Sequence, residues 1–295
     1  MIWLAPAALS SIMIALILKV NERRVGNRIL IAGANYLVAS AISFMLLASN
    51  AGGFAAASGG PCWHAALPGV ATLALGGVAG IIYVLGFLLL MAGIARLPLA
   101  VPVTVARLSV VLPVAVSIFL WHESPGSFQW LGIALGLAAI ILFGMSFSSS
   151  GHVSRAGGRS SLLIASLFMV LGLGDVLLKA FREMASDADR LAFTFVLFTV
   201  AAIFTWLLVL IRRIRFDART FYLGLLLGVP NLFSTVFTLL ALRSVPASVA
   251  FPFINLTVIV GTTILGFLVW RERLRPIGIA GLFISACAIV FLSVR

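Results

Sequence analysis

The chain repeats itself, and the repeat lies in sequence that is almost continuously apolar. The segment Gly76-Gly77-Val78-Ala79-Gly80 through Trp121-His122-Glu123 to Gly132 returns as Gly224 to Gly228, through Trp270-Arg271-Glu272, to Gly281. The offset between the copies drifts only from 148 to 149. A repeat of several hydrophobic helices points to a membrane body built from two similar halves.

Composition supports lipid as the solvent. Of 295 residues, 62% are hydrophobic and 9% charged, against about 25% charged in a soluble domain. No soluble fold hides so much apolar surface. The net charge of +12 and pI near 11.5 resemble those of a nucleic-acid binder. That reading fails, because the arginines are scattered through short loops rather than gathered on one polar face. They read instead as topology signals and contacts to anionic lipid. Cys62 in a loop and Cys287 in the last apolar run give no expectation of a disulfide, and no zinc spacing exists. His64, His122 and His152 all lie in loops and form no metal pattern. There is no Walker loop, and no carboxylate cluster fit to hold magnesium and a pyrophosphate. No cofactor is implied.

A bilayer-spanning helix needs about 20 mostly apolar residues. Ten stretches qualify: 2–19, 28–48, 70–94, 99–121, 128–147, 160–181, 191–211, 219–242, 247–270 and 276–293. The first lacks a basic n-region and leads into nine more, so it reads as a retained helix. The long connections are 49–68, rich in Gly, Ala and Ser, and 148–159, rich in Ser and Gly. The second divides the chain into two five-helix repeats, 1–150 and 151–295. The expected fold is therefore an all-α integral membrane protein. Five is odd, so the repeats must be inverted about an axis in the membrane plane. The match is clear for spans three to five against eight to ten, and weak for the first two of each set. The odd-numbered loops hold 14 Lys or Arg and the even loops with the termini hold 5. This count places the odd loops in the cytoplasm and both termini outside.

Arg107 lies well inside the fourth span. A charge at a helix centre costs roughly 2.5–3.5 kcal/mol on the insertion scale, so it should face a cavity or a partner. It reads as the site for an anionic substrate group such as a carboxylate, or else as a structural pair or a snorkelling side chain. At an offset of 148, Arg107-Leu108-Ser109 falls opposite Asn255-Leu256-Thr257. In an inverted repeat, such positions face each other across the centre. Asn255 and Thr257 are then substrate contacts or bridges between helices. Asn35, Tyr36 and Asn231 are further polar groups at membrane depth, open to the same two readings. Asp175 and Lys179, at i and i+4, read as a helical ion pair. Alternatively, Asp175 takes up a proton that couples transport to a gradient, or serves as counter-ion to Arg107. Glu123 and Glu272 end the fourth and ninth spans, as caps or as gates that exchange partners. Pro230, Pro102, Pro113 and Pro252 allow kinks in the fourth, eighth and ninth spans, which would line a pathway. The patterns Gly76/Gly80, Gly132/Gly136 and Gly224/Gly228 let helices approach closely.

Two five-helix repeats, each with a Trp-x-Glu turn and a Gly-containing last helix, resemble the EamA-like transporters of the drug/metabolite transporter superfamily. The family's pattern runs from Pro113 to Glu123 to Gly132, and from Pro252 to Glu272 to Gly281. The usual Gly before the glutamate is His122 in one copy and Arg271 in the other. The resemblance covers nearly the whole chain and is strongest from Pro230 to Leu292. Asn35-Tyr36-Leu37-Val38-Ala39 and Pro230-Asn231-Leu232-Phe233-Ser234 resemble a bacterial branch. It implies a multi-pass carrier in the plasma (bacterial inner) membrane that moves a small-molecule metabolite by alternating access, with protons as candidate coupling ions. It implies cytoplasmic termini, the reverse of the arginine count. A membrane enzyme acting on lipid-linked substrates and a non-transporting membrane subunit are the other classes. A duplicated chain supplies both halves, so a monomer suffices, with a homodimer as the alternative.

Overall fold

The computed structural model describes residues 1–20, 27–58, 69–97, 100–147, 158–270 and 276–294. The regular elements among them are all helical. They are α1 (Leu4–Val20), α2 (Arg28–Ser58), α3 (Val70–Arg96), α4 (Ala100–Leu108), α5 (Val111–Phe119), α6 (Ser127–Phe147), α7 (Gly158–Met184), α8 (Arg190–Ile211), α9 (Ala218–Ala241), α10 (Ala247–Trp270) and α11 (Pro276–Ser293). A 3-10 turn, Asp187–Asp189, precedes α8. Among the described residues, eight segments are long and apolar enough to cross a membrane, with α4 and α5 counted as one. The apolar stretches of α1 and α6 are shorter, at Leu4–Leu18 and Ser127–Phe143. Large apolar side chains such as Leu162, Ile211 and Phe283 face outward and exposed, as a lipid solvent allows.

Two sequence expectations change. Residues 49–68 read as a connection, yet α2 continues through Ser58. The Ala-rich tail 55–57 favours helix strongly enough to carry it past Gly52 and Gly53. The fourth span was expected as one helix over 99–121, but it breaks at Ser109 and Val110. Pro113 has no N–H to offer the carbonyl of Ser109 four residues earlier, and its ring crowds that carbonyl. Leu112 N–H instead reaches Ser109 O at 3.0 Å, and Val110 N–H reaches Arg107 O at 3.4 Å. These tighter turns replace two helical bonds. α9 and α10 stay continuous through Pro230 and Pro252.

Lipid tails are as apolar as leucine, so hydrophobicity gives helices in a membrane little reason to associate. Close approach through small residues supplies the contact instead. At Gly80 of α3, an added Cβ would sit 2.5 Å from the Leu197 carbonyl of α8; at Gly224 of α9, 2.5 Å from the Ile31 carbonyl of α2. Any side chain there would drive the helices apart. The packing is reciprocal. α2 lies against α8 and α9, α3 against α7 and α8, α1 against α9 and α10, α5 against α7 and α10, and α6 against α11. Phe181 and Phe193 stack at 4.2 Å, and the fully buried Phe198 contacts both Tyr36 and Tyr83.

Candidate functional site: a central polar cavity

A cavity of about 420 Å³ lies among α1, α2, α3, α4, α7, α9 and α10. Arg107 and Asp175 both face it and are half-buried. Arg107 lies in the last turn of α4, which ends at the next residue, Leu108. Gly172 of α7 lets that helix close on the break, where a Cβ would stand 2.8 Å from the Ser109 carbonyl. The same α7 brings Asp175 to the cavity one turn further on.

Arg107 Nη1 donates to Asn255 Oδ1 at 3.2 Å. The two residues that the repeat equates thus meet directly. Asn255 Nδ2 donates to its own helix at the Phe251 carbonyl, 3.1 Å away, which turns Oδ1 toward the guanidinium. A guanidinium carries five N–H donors, and this bond uses one. Arg107 also borders a second cavity of about 230 Å³, with Thr104, Thr262 and Thr263 among its polar lining.

The remaining expected residues divide. Ser109, Tyr36 and Asn231 line the central cavity. Ser109 spends its hydroxyl on the Ala106 carbonyl at 2.8 Å, and Tyr36 donates to the Tyr83 carbonyl at 3.3 Å. Asn35 stands behind Asn231 and accepts its side-chain N–H at 3.1 Å. Thr257 lines neither cavity; it bonds the Phe253 carbonyl of its own helix at 2.8 Å.

The pairing of Asp175 with Lys179 is overturned. Lys179 Nζ lies 2.8 Å from Glu123 and 2.5 Å from Glu183, and it sits 5.8 Å from the centre of the Trp121 ring. Among the described residues Asp175 has no direct ion pair. A lysine reaches along its helix in either direction, and here the i+4 acid together with a carboxylate from the turn after α5 wins.

Glu123 stands apart from the cavity, at one end of the bundle. Its carboxylate accepts the backbone N–H groups of Ala247 and Ser248, both at 2.9 Å, and the Ser248 hydroxyl at 2.6 Å. It therefore caps α10 from across the protein, satisfying amides that a helix N-terminus leaves unpaired. Burial pushes the Glu123 carboxyl up, but the bonds from Lys179, Ser248 and Ala247 outweigh this and hold it below the usual carboxylate range. His122, just before it, adopts a positive φ of 51°. Such backbone favours glycine, which gives the Gly of the family pattern a physical reason. Glu272, the matching acid, lies outside the described residues, as do Cys62, His64 and His152.

Sequence reasoning missed Tyr83, Phe87, Ser234, Thr235, Thr238 and Phe251, all cavity-lining. A signal existed for three of them. Asn231, Ser234, Thr235 and Thr238 form one polar helical stripe in an apolar run.

These features define a class: an all-helical, multi-pass membrane protein with a charged cavity among its helices. Residues 159–294, in the second half of the chain, match the EamA-like transporter family, the family that the sequence resembles. An uncharacterized protein of Haemophilus influenzae (strain ATCC 51907 / DSM 11121 / KW20 / Rd) is 27% identical over 186 residues. That match spans 62% of this chain and 62% of the relative, under two thirds of its length. A crystal structure superposes with a TM-score of 0.75 at 13% identity, covering 99% of this chain and 95% of its own, a likeness of fold.

Proposed function

We propose that the protein is a secondary transporter of a small organic metabolite bearing an anionic or zwitterionic group, working by alternating access in the bacterial inner membrane. Two inverted five-helix repeats, 1–150 and 151–295, would rock against each other around the central cavity. The reciprocal packing supports this layout: α3 meets α8 as α9 meets α2, and α1 meets α10 as α7 meets α4 and α5. The orientation from the arginine count, with odd loops in the cytoplasm, belongs to the same proposal.

The carrying observation is Arg107, a cavity-facing guanidinium that, among the described residues, commits one of its five donors, to the repeat-equivalent Asn255. A substrate carboxylate would take the free donors in bidentate fashion. Uptake and efflux of labelled amino acids, organic acids and sugars in proteoliposomes tests this. Arg107→Gln is expected to slow transport roughly 100-fold, the rate equivalent of about 3 kcal/mol for a lost charged hydrogen bond. Normal transport by that variant, correctly inserted, would sink the assignment.

Asp175 adds proton coupling as a second reading, favoured by a carboxylate that faces the cavity without a direct ion pair among the described residues. Asp175→Asn is expected to exchange substrate between the two sides while losing its response to a proton gradient.

A further inference from the structure

Glu123, Lys179 and Glu183 form a chain of charges at one end of the protein. It joins the elements that bear Arg107, Asp175 and Asn255 of the cavity. Glu123 follows α5, which continues the broken span of Arg107. Lys179 lies one turn along α7 from Asp175. Ser248 lies two turns along α10 from Asn255. Glu123 bonds both of the others, through Lys179 Nζ at 2.8 Å and through the first turn of α10 at 2.6–2.9 Å.

Neighbouring contacts at this end tie a different set of helices. Asp187 pairs with Arg182 of α7, Arg190 of α8 and Arg243 beyond α9, at 3.7, 3.8 and 2.5 Å. Asp189 accepts from Gly69 N–H and the Thr72 hydroxyl at the start of α3, at 3.1 and 2.9 Å. These acids hold α3, α7, α8 and α9 together. Among the described residues, Glu123 supplies the ionic contact that adds α5 and α10.

A buried ion pair is costly to open when one charge is left without a partner. Lys179 escapes that cost. Its Nζ is already 2.5 Å from Glu183, whose side chain is 40% exposed and so reaches water. If Glu123 withdraws, Lys179 keeps a carboxylate on its own helix. The freed amides of α10 are then wetted at the opening end. Such a contact holds well when closed and releases without stranding Lys179, while the Glu123 carboxylate passes to water at the opening end.

We propose that Glu123 is the gate residue at this end of the cavity and that Lys179 is its positioning partner. On opening, Lys179 passes wholly to Glu183 while the first turn of α10 parts from Glu123. The proposal rests on the alternating-access reading, and it assigns the contact that alternates.

The test reads cavity access and needs no substrate. With Cys62 and Cys287 replaced by serine, Ser234→Cys places a reporter thiol in the central cavity. A membrane-impermeant charged maleimide is added to either side of proteoliposomes. Glu123→Gln is expected to raise labelling from the Glu123 side by roughly tenfold, and Glu123→Asp to restore part of the block. Glu183→Gln changes an exposed side chain and removes the alternative partner, so it should lower labelling from that side. The variant remains informative if Glu123→Gln fails to fold. Rates unchanged in both folded variants, or changed equally from both sides, would overturn the gate. One-sided opening by Glu123→Gln in a protein that carries no compound of the panel would leave the gate standing and sink the transport reading. Normal transport with unchanged labelling would do the reverse.

Discussion

The fourth and ninth spans carry the same motif on different backbones. In the fourth, Arg107-Leu108-Ser109 ends a short helix, and α5 begins two residues later. In the ninth, Asn255-Leu256-Thr257 sits within an uninterrupted α10. Prolines occur in both, so proline content does not explain the difference. Position does. Pro113 lies mid-span, where its missing N–H and its ring act on the Ser109 carbonyl at membrane depth. Pro252 acts four residues back on Ser248, in the first turn of α10, where the chain is only entering the helix. The residue opposite Pro113 at the offset of 148 is Gly261, which keeps its N–H. The duplicated helices have thus diverged in two linked respects. The broken one bears the charge, and the intact one bears the amide that the charge contacts.

The largest effect should come from separating those two respects. Exchanging the pair, Arg107→Asn with Asn255→Arg, keeps both side-chain types at the centre but moves the guanidinium to the unbroken helix. Transport is expected to stay roughly 100-fold below wild type, as in Arg107→Gln. On α10 the polar side chain is held toward its own Phe251 carbonyl, and no break lies beside it. Recovery to near wild-type rates in proteoliposomes would mean that charge at the midplane suffices, whichever helix carries it.

A smaller effect should follow from altering the backbone with the charge in place. Pro113→Ala restores an N–H for the Ser109 carbonyl and removes the ring that crowds it. The melting temperature in detergent is expected to rise while transport slows, because α4 and α5 would merge and re-aim Arg107. The reciprocal Gly261→Pro strips an N–H from mid-α10 and crowds the Thr257 carbonyl. It should cost about 3 kcal/mol of stability. A rise in stability with no change in transport for Pro113→Ala would show the break to be incidental.

Much of the architecture was legible because a membrane leaves few options. Apolar runs of about 20 residues announce spans, and the duplicated motif paired Arg107 with Asn255 before any contact was known. What escaped the sequence was direction and competition. Whether Lys179 reaches Asp175, Glu123 or Glu183 depends on which carboxylate the packing of α5 against α7 brings near, and i,i+4 spacing fits both acids on its own helix. Tyr83 and Phe87 read as ordinary aromatics of an apolar run until the other helices enclose them. The arginine count has a structural counterpart. At the Glu123 end, Lys179, Arg182, Arg190 and Arg243 all engage acids, whereas Arg212, Arg213, Arg215 and Arg219 at the other end are exposed.

The smallest effect should fall on the third position of the motif, where sequence alone suggested a matched pair of substrate hydroxyls. Each hydroxyl is turned back on its own helix, Ser109 to Ala106 and Thr257 to Phe253, both at 2.8 Å. This back-bonding is a common use of Ser and Thr inside helices, and it satisfies the hydroxyl without any ligand. Ser109 still touches the cavity, whereas Thr257 does not. Thr257→Val preserves shape and removes one local bond, worth about 1 kcal/mol or less. Transport by this variant should stay within about twofold of wild type. A loss comparable to that of Arg107→Gln would mean that α10 turns about its axis during the cycle and presents Thr257 to the substrate. The equivalence of the two motifs would then extend to their third residues in a conformation other than this one.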